Sequence, residues 1–252
     1  MIHFVEQGKG PAFVMQHGLG GQLVQGLELG SEMGPYRLVC MDARGHGKTP
    51  YDAAQPASFD QYADDILAVL DHLGIDKALF GGVSMGAGIS LNIALRYPER
   101  VEALLLIRPA WLDRGRPESL EILRAVADYL GQAGAKDRFA ERSDWQSLQQ
   151  KLPHAANSLL GQFDHALPSR ADVLRRMIDD RPLSELTELA KLKLPTLIVA
   201  SDNDPLHPYR FAERLHEAIP KALLQQVSSR YLDNAAYVSA TRQAMQNFLS
   251  QI

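Results

Sequence analysis

The sequence predicts an α/β protein: a mostly parallel sheet flanked by helices on both faces, carrying a helical lid. Three observations predict it. Short apolar runs bounded by Gly, Pro and Asp alternate with longer segments of helical period. Several of those runs are near-continuous β-branched and Leu stretches, as strands covered on both faces are. From about Pro109 to Ala190 the alternation gives way to helical patterns interrupted by Gly131, Gly134, Pro153, Gly161, Pro168 and Pro182. The 252 residues suit one domain. Residues 1–108 and 191–252 form the expected core, with 109–190 inserted as a lid over one end of the sheet.

The strands are expected at Ile2–Glu6, Ala12–Gln16, Arg37–Met41, Ala78–Gly82, Ala103–Ile107, Thr196–Ala200 and Leu223–Val227. Helices are expected near Phe59–Leu73, Met85–Tyr97, Tyr209–Ala218 and Ala235–Leu249. In the first, Tyr62, Ile66, Val69, Leu70 and Leu73 share one face, and Gly74 supplies the stop.

Composition narrows the function. At 46% hydrophobic and 22% charged residues, the chain has an ordinary globular composition. A net charge of −4 with scattered positive residues provides no basic field for nucleic acid or an anionic membrane. The one cysteine, Cys40, cannot form an internal disulfide and reads as a buried structural thiol. The start Met1-Ile2-His3-Phe4-Val5-Glu6 lacks the pattern of a signal peptide, and no stretch reaches the ~20 apolar residues of a membrane span. A cytoplasmic location is expected. No His/Cys/Asp/Glu grouping has ligand spacing, and no Walker or dinucleotide-binding turn occurs, so neither metal nor cofactor is expected.

The strongest chemical signal is Gly82-Val83-Ser84-Met85-Gly86. This Gly-x-Ser-x-Gly pattern follows a strand and opens a helix, the context of a nucleophile elbow. Its glycines let a strained turn pass between strand and helix, and Ser84 Oγ stands at the positive end of the helix. Gln16-His17-Gly18-Leu19-Gly20-Gly21 is a second Gly-rich turn at a strand's carboxyl end. The N–H groups of Leu19 and Met85 are the expected oxyanion hole. In Asp42-Ala43-Arg44-Gly45-His46-Gly47, the polar residues Asp42, Arg44 and His46 read first as loop-locking hydrogen bonders. Asp204, in Ser201-Asp202-Asn203-Asp204-Pro205-Leu206-His207-Pro208, lies where ligands bind α/β sheets and is preferred to Asp202 as a catalytic acid. Capping of the following helix is the structural alternative. His17 reads first as a turn-fixing residue and second as a substrate-binding one; Arg108, which ends an apolar run, and Trp111 are the other candidates for substrate binding. The Arg108 guanidinium suits a carboxylate or phosphate, the plainer alternative being a salt bridge to a lid acid.

Taken together, these motifs resemble the α/β-hydrolase superfamily in order and spacing. Ala94-Leu95-Arg96-Tyr97-Pro98-Glu99-Arg100-Val101 adds to the likeness. The resemblance is to compact lidded members: carboxylesterases, enol-lactonases and carbon–carbon bond hydrolases. It implies a Ser–His–acid triad whose histidine follows the last strand. Here that segment reads Ser228-Ser229-Arg230-Tyr231-Leu232-Asp233-Asn234, and no histidine follows His216.

Three readings remain. A surrogate imidazole reaches Ser84, with His207 on the acid loop first, and His154, His165 and His46 behind it; His3, His72 and His216 are discounted by position. Alternatively, the oxyanion pocket serves a lyase, isomerase or decarboxylase without an acyl-enzyme. Or the fold binds a ligand without turnover. The leading expectation is a cofactor-free enzyme acting on a small carbonyl compound, an ester or lactone, carrying an anionic group. Ser84, Asp204 and His207 are its expected catalytic residues.

Overall fold

A computed structural model describes residues 1–164 and 167–252. Among these residues seven strands form one sheet. They are β1 (Phe4–Gln7), β2 (Ala12–Gln16), β3 (Arg37–Met41), β4 (Ala78–Val83), β5 (Val101–Ile107), β6 (Thr196–Ala200) and β7 (Ala222–Gln226). The order across the sheet is β1-β3-β2-β4-β5-β6-β7. Only the β1–β3 pair is antiparallel; the other pairs are parallel.

Strand alternation divides the core in two. Phe13, Met15, Leu38, Cys40, Leu79, Leu105 and Val199 face one side, where α1 (Leu23–Gly30) and α10 (Asn234–Leu249) cover them. Val14, Val39, Met41, Phe80, Leu104, Leu106 and Ile198 face the other, under α2 (Phe59–His72), α3 (Met85–Arg96) and α9 (Tyr209–Ala218). Each central strand is therefore buried on both faces, which is why β2 and β4 read as unbroken apolar runs. Cys40 is fully buried, and burial pushes its thiol up to about 12. The thiol is thus inert packing.

The α1 helix was not expected. Its sequence, Leu23-Val24-Gln25-Gly26-Leu27-Glu28-Leu29-Gly30, carries two glycines, which lower helix propensity. They are there for close approach: a Cβ on Gly26 would lie 2.3 Å from the Met15 carbonyl oxygen, and one on Gly30 2.7 Å from Leu38 Cδ1. Packing against β2 and β3 outweighs propensity.

Between β5 and β6 lie α4 (Glu121–Tyr129), α5 (Ala135–Ala140), α6 (Ser143–Lys151), α7 (Pro153–Leu160) and α8 (Arg170–Asp179). Pro153 falls at the break between α6 and α7, as its expected interruption of the helical pattern requires, and begins α7, where its missing N–H costs nothing. No helix among the described residues is long and apolar enough to cross a membrane.

Because β2, β4, β5, β6 and β7 run in parallel, the loops that leave their carboxyl ends emerge at one edge of the sheet. Those loops carry residues 17–21, Ser84, Arg108, 201–208 and 227–233. Strand direction alone gathers these distant segments.

Candidate active site

Ser84 joins β4 to α3 with φ 56° and ψ −107°, a conformation disfavoured for any residue with a Cβ. The surroundings enforce it. Ser84 N–H donates to the Ile107 carbonyl at 2.8 Å, and Gly88 N–H donates to the Ser84 carbonyl at 3.1 Å. A Cβ at Gly82 would lie 2.3 Å from the Gly86 carbonyl carbon, and one at Gly86 2.3 Å from the Gln16 carbonyl oxygen. Strand and helix thus cross backbone against backbone, which only glycine permits at both positions.

Asp204 and His207 occupy the loop between β6 and α9. His207 N–H donates to the Asp204 carbonyl at 3.2 Å, closing a turn with Pro205 at its second position, where the ring pre-sets the backbone. The turn brings the two side chains together: His207 Nδ1 is 2.8 Å from Asp204 Oδ1. The far side of the imidazole reaches across the sheet edge, with Nε2 2.9 Å from Ser84 Oγ. Ser84, Asp204 and His207 are all buried. The loop after β7 braces this arrangement. Ser229 Oγ donates to the Asn203 carbonyl at 2.9 Å and accepts from Tyr231 N–H at 3.2 Å.

Arg108 is the residue whose neighbours differ from expectation. Its acidic partner lies on the acid loop rather than the lid. Nε donates to Asp204 Oδ2 at 2.5 Å, Nη2 donates to Tyr231 Oη at 3.3 Å, and the guanidinium carbon lies 5.3 Å from the Tyr231 ring centroid. Arg108 also has a positive φ of 50°, fixed by its N–H donating to the Val199 carbonyl at 2.7 Å. Burial opposes ionisation of Asp204, but His207 and Arg108 together hold its carboxyl well below the usual range. Burial, then the Arg108 charge, lowers the basicity of His207 against the pull of Asp204.

His207 Nδ1 faces two rivals. Asp204 Oδ1 only accepts, whereas Arg108 Nη2, 3.0 Å away, only donates. A proton on Nδ1 satisfies Asp204 and leaves the Nε2 lone pair for the Ser84 hydroxyl. Asp204 Oδ1 has no other donor among the described residues, while Arg108 Nη2 also has Tyr231. An ionised acceptor left bare costs more than one weakened N–H, so the proton sits on Nδ1.

The other predicted residues separate clearly. Trp111 and His17, both candidates for substrate binding, do not line the cavity beside Ser84; His17 takes the turn-fixing role that its place in the Gly-rich turn suggested first. Trp111 is buried edge-on against Phe59, with ring centroids 5.5 Å apart. His17 is buried and fixes backbone: Nδ1 donates to the Gly18 carbonyl at 2.8 Å and Nε2 accepts from Ala43 N–H at 3.0 Å. His46 does likewise between the Arg44 carbonyl and Gly20 N–H. Asp42 accepts from the N–H groups of Leu23 and Lys48, and Arg44 pairs bidentately with Asp65. His154 is exposed on α7, and His165 lies outside the described residues.

Both loop histidines are held neutral. Burial pushes His17 down to about 4, and burial with the neighbouring His17 and Arg170 takes His46 well below its ordinary value. An imidazole whose folded pKa is depressed binds its proton less readily than in the unfolded chain, so stability is complete above pH 6.5 and lost as pH falls through the depressed value. Urea unfolding should show the loss between about pH 6.5 and pH 4, with roughly 3 kcal/mol from His17 alone. A flat profile across that window would rule out the neutral assignment.

The turn at residues 18–21 has one spare donor. Gly18 N–H donates to Gln25 Oε1, Gly20 N–H to His46 Nε2 and Gly21 N–H to the Gly18 carbonyl. Leu19 N–H has no acceptor among the described residues. Met85 is the first residue of α3, so its N–H has no intrahelical acceptor.

Ser84 and His207 open onto a cavity of ≈ 260 Å³, near the lower end of small-molecule sites. Its lining includes Leu19 and Gly20 of the Gly-rich turn, Leu206, Arg230 and Tyr231, and Leu120, Leu123 and Leu159 of the helical insertion. Arg230 was missed as a site residue. Its signal was positional, in the loop where the resemblance sets a histidine.

Fold and site together define a protein of the α/β-hydrolase class, and the chain belongs to that family, whose model (alpha/beta hydrolase fold) matches residues 11–230. Among its relatives, "Putative carbamate hydrolase RutD" of Agrobacterium fabrum is 28% identical over 231 residues, covering 88% of this chain and 86% of the relative. The 3-oxoadipate enol-lactonase 2 of Acinetobacter baylyi is 25% identical over 245 residues, covering 94% and 87%. Of solved structures, the enol-lactonase from Burkholderia xenovorans LB400 superposes with TM-score 0.78 at 23% identity, covering 99% of this chain and 96% of that one. The malate-bound thermophilic esterase from Thermogutta terrifontis gives 0.78 at 22%, covering 99% and 93%.

Proposed function

We propose that this chain is a serine hydrolase of a small ester, lactone or carbamate, with Ser84 as nucleophile, His207 as base and Asp204 as the acid that orients it. The observation that carries the reading is the continuous chain of contacts from Asp204 Oδ1 through His207 to Ser84 Oγ, at 2.8 and 2.9 Å. Family membership and the hydrolase names of the relatives support it.

Ser84 Oγ attacks the substrate carbonyl while His207 Nε2 takes its proton. The Leu19 and Met85 N–H groups stabilise the oxyanion. Collapse of the tetrahedral intermediate expels the leaving group, which His207 protonates, and leaves an acyl-Ser84. Water, deprotonated by His207, then releases the acid and restores the serine. The base is displaced: it stands three residues after the acid instead of after the last strand. The helical insertion acts as a lid, its leucines excluding water from the reacting carbonyl.

A second reading, ligand binding or non-hydrolytic chemistry, rests on the Arg108 contact with His207 Nδ1. A proton moved to Nε2 would donate to Ser84, leaving no base. A fluorophosphonate probe separates the two. Stoichiometric labelling of Ser84, absent in Ser84→Ala, is expected, together with Ser84-dependent hydrolysis of short p-nitrophenyl esters. An unlabelled protein without such turnover would favour the second reading.

A further inference from the structure

The cavity beside Ser84 is positively charged in a chain that is negative overall. Among the described residues its lining contains two arginines, Arg108 and Arg230, and no aspartate or glutamate. Asp204 offsets the charge of Arg108 through a direct ion pair, so Arg108 is not free to hold a substrate anion. Arg230 differs. It lies within no ion pair or side-chain hydrogen bond among the described residues, is only half-buried, and stacks beside its neighbour Tyr231, its guanidinium carbon 5.9 Å from that ring's centroid. Tyr231 in turn contacts Arg108. A guanidinium with no protein partner among the described residues, lining the same cavity as Ser84 with no aspartate or glutamate in that lining, offers a planar fork of donors to an anion. The apolar leucines opposite raise the value of that charge by excluding water.

We infer that Arg230 binds a carboxylate carried by the substrate, so that the preferred substrates are small carbonyl compounds bearing an anionic group one cavity-length from the scissile carbonyl. This rests on the hydrolase reading above and adds the substrate class. The loop after β7 then has two duties: Ser229 braces the acid loop, and Arg230 reads the substrate. The anion clamp inferred here is a different arginine from Arg108, the one the sequence suggested.

The test compares p-nitrophenyl hexanoate with the mono-p-nitrophenyl ester of adipic acid, matched in length and differing in a terminal carboxylate. The kcat/KM ratio of anionic to neutral ester should favour the anionic one and fall roughly 10- to 100-fold in Arg230→Gln, the size of one lost charge-assisted contact. Most of the fall should appear in KM, and Arg230→Lys should recover part of it. Taking the ratio cancels any general loss of activity or folding. Calorimetric binding of adipate to Ser84→Ala, and to the same protein with Arg230→Gln added, tests the anion site without turnover. Binding abolished by Arg230→Gln upholds the site even where no ester is hydrolysed, a result that would count against the hydrolase reading alone. Esters hydrolysed through Ser84 with an unchanged ratio, or adipate bound equally with and without Arg230, would overturn the inference and leave the hydrolase reading standing.

Discussion

Replacing His207 with alanine should lower kcat for a p-nitrophenyl ester by about 10⁴- to 10⁶-fold, the scale on which serine hydrolases lose turnover without their base. The substitution removes the only imidazole among the described residues that is within hydrogen-bond reach of Ser84 Oγ. His46 and His17 spend both ring nitrogens on backbone groups, and His154 is exposed and off the cavity. The fold should survive, because Asp204 keeps Arg108 as its partner and no buried charge is left alone. Ser84→Ala should match His207→Ala, and the double variant should lose little more, since nucleophile and base act as one unit. In the unaltered protein the acid limb of kcat/KM should lie below pH 6.5, because the neutral imidazole is the active form and its basicity is depressed. Activity of His207→Ala within tenfold of the parent would remove His207 from the mechanism.

Arg108→Met should cost about 3–5 kcal/mol of stability above neutral pH, because it strands the buried Asp204 carboxylate. Methionine keeps the bulk beside Tyr231 and Tyr237, whose ring centroids lie 5.3 and 5.8 Å from the Arg108 guanidinium carbon, and adds no backbone strain beyond what arginine already bears at φ 50°. The catalytic signature should be distinct from this loss. Without the guanidinium, Asp204 acts on His207 alone, so the imidazolium is favoured and the acid limb moves to higher pH. Relative to the parent, folded His207 holds a proton more readily in the variant, so lowering the pH toward its titration range stabilises the variant more than the parent, a gain that is lost again as pH rises. The deficit measured by urea unfolding should therefore be smaller at pH 6 than at pH 8. A variant that loses under 1 kcal/mol with an unmoved limb would show Arg108 to be a bystander.

Arg108 thus sets a compromise. It holds Asp204 Oδ2 while Oδ1 faces His207, and at the same time lowers the basicity of the imidazole. An imidazole so poised stays unprotonated at neutral pH; it draws the Ser84 proton less strongly, while its conjugate acid is the readier donor to a leaving group.

The sequence by itself determined the fold class and the backbone of the site. Strand and helix identities follow from apolar periodicity, which is local, and so does the elbow, because Gly82 and Gly86 answer to a steric contact between adjacent elements. The α1 helix escaped because its glycines serve a contact with β2 that local propensity does not record. The sequence put His207 first among four candidate imidazoles, but only tertiary structure decided that it meets Ser84, 123 residues away in sequence, and that Arg108 meets Asp204 while Arg230 is left to the cavity. Those choices depend on the sheet order, which sets β4, β5, β6 and β7 side by side, and on rotamers that pack only once the loops share an edge. Periodicity reports what each segment buries, whereas a catalytic contact reports where separate segments end.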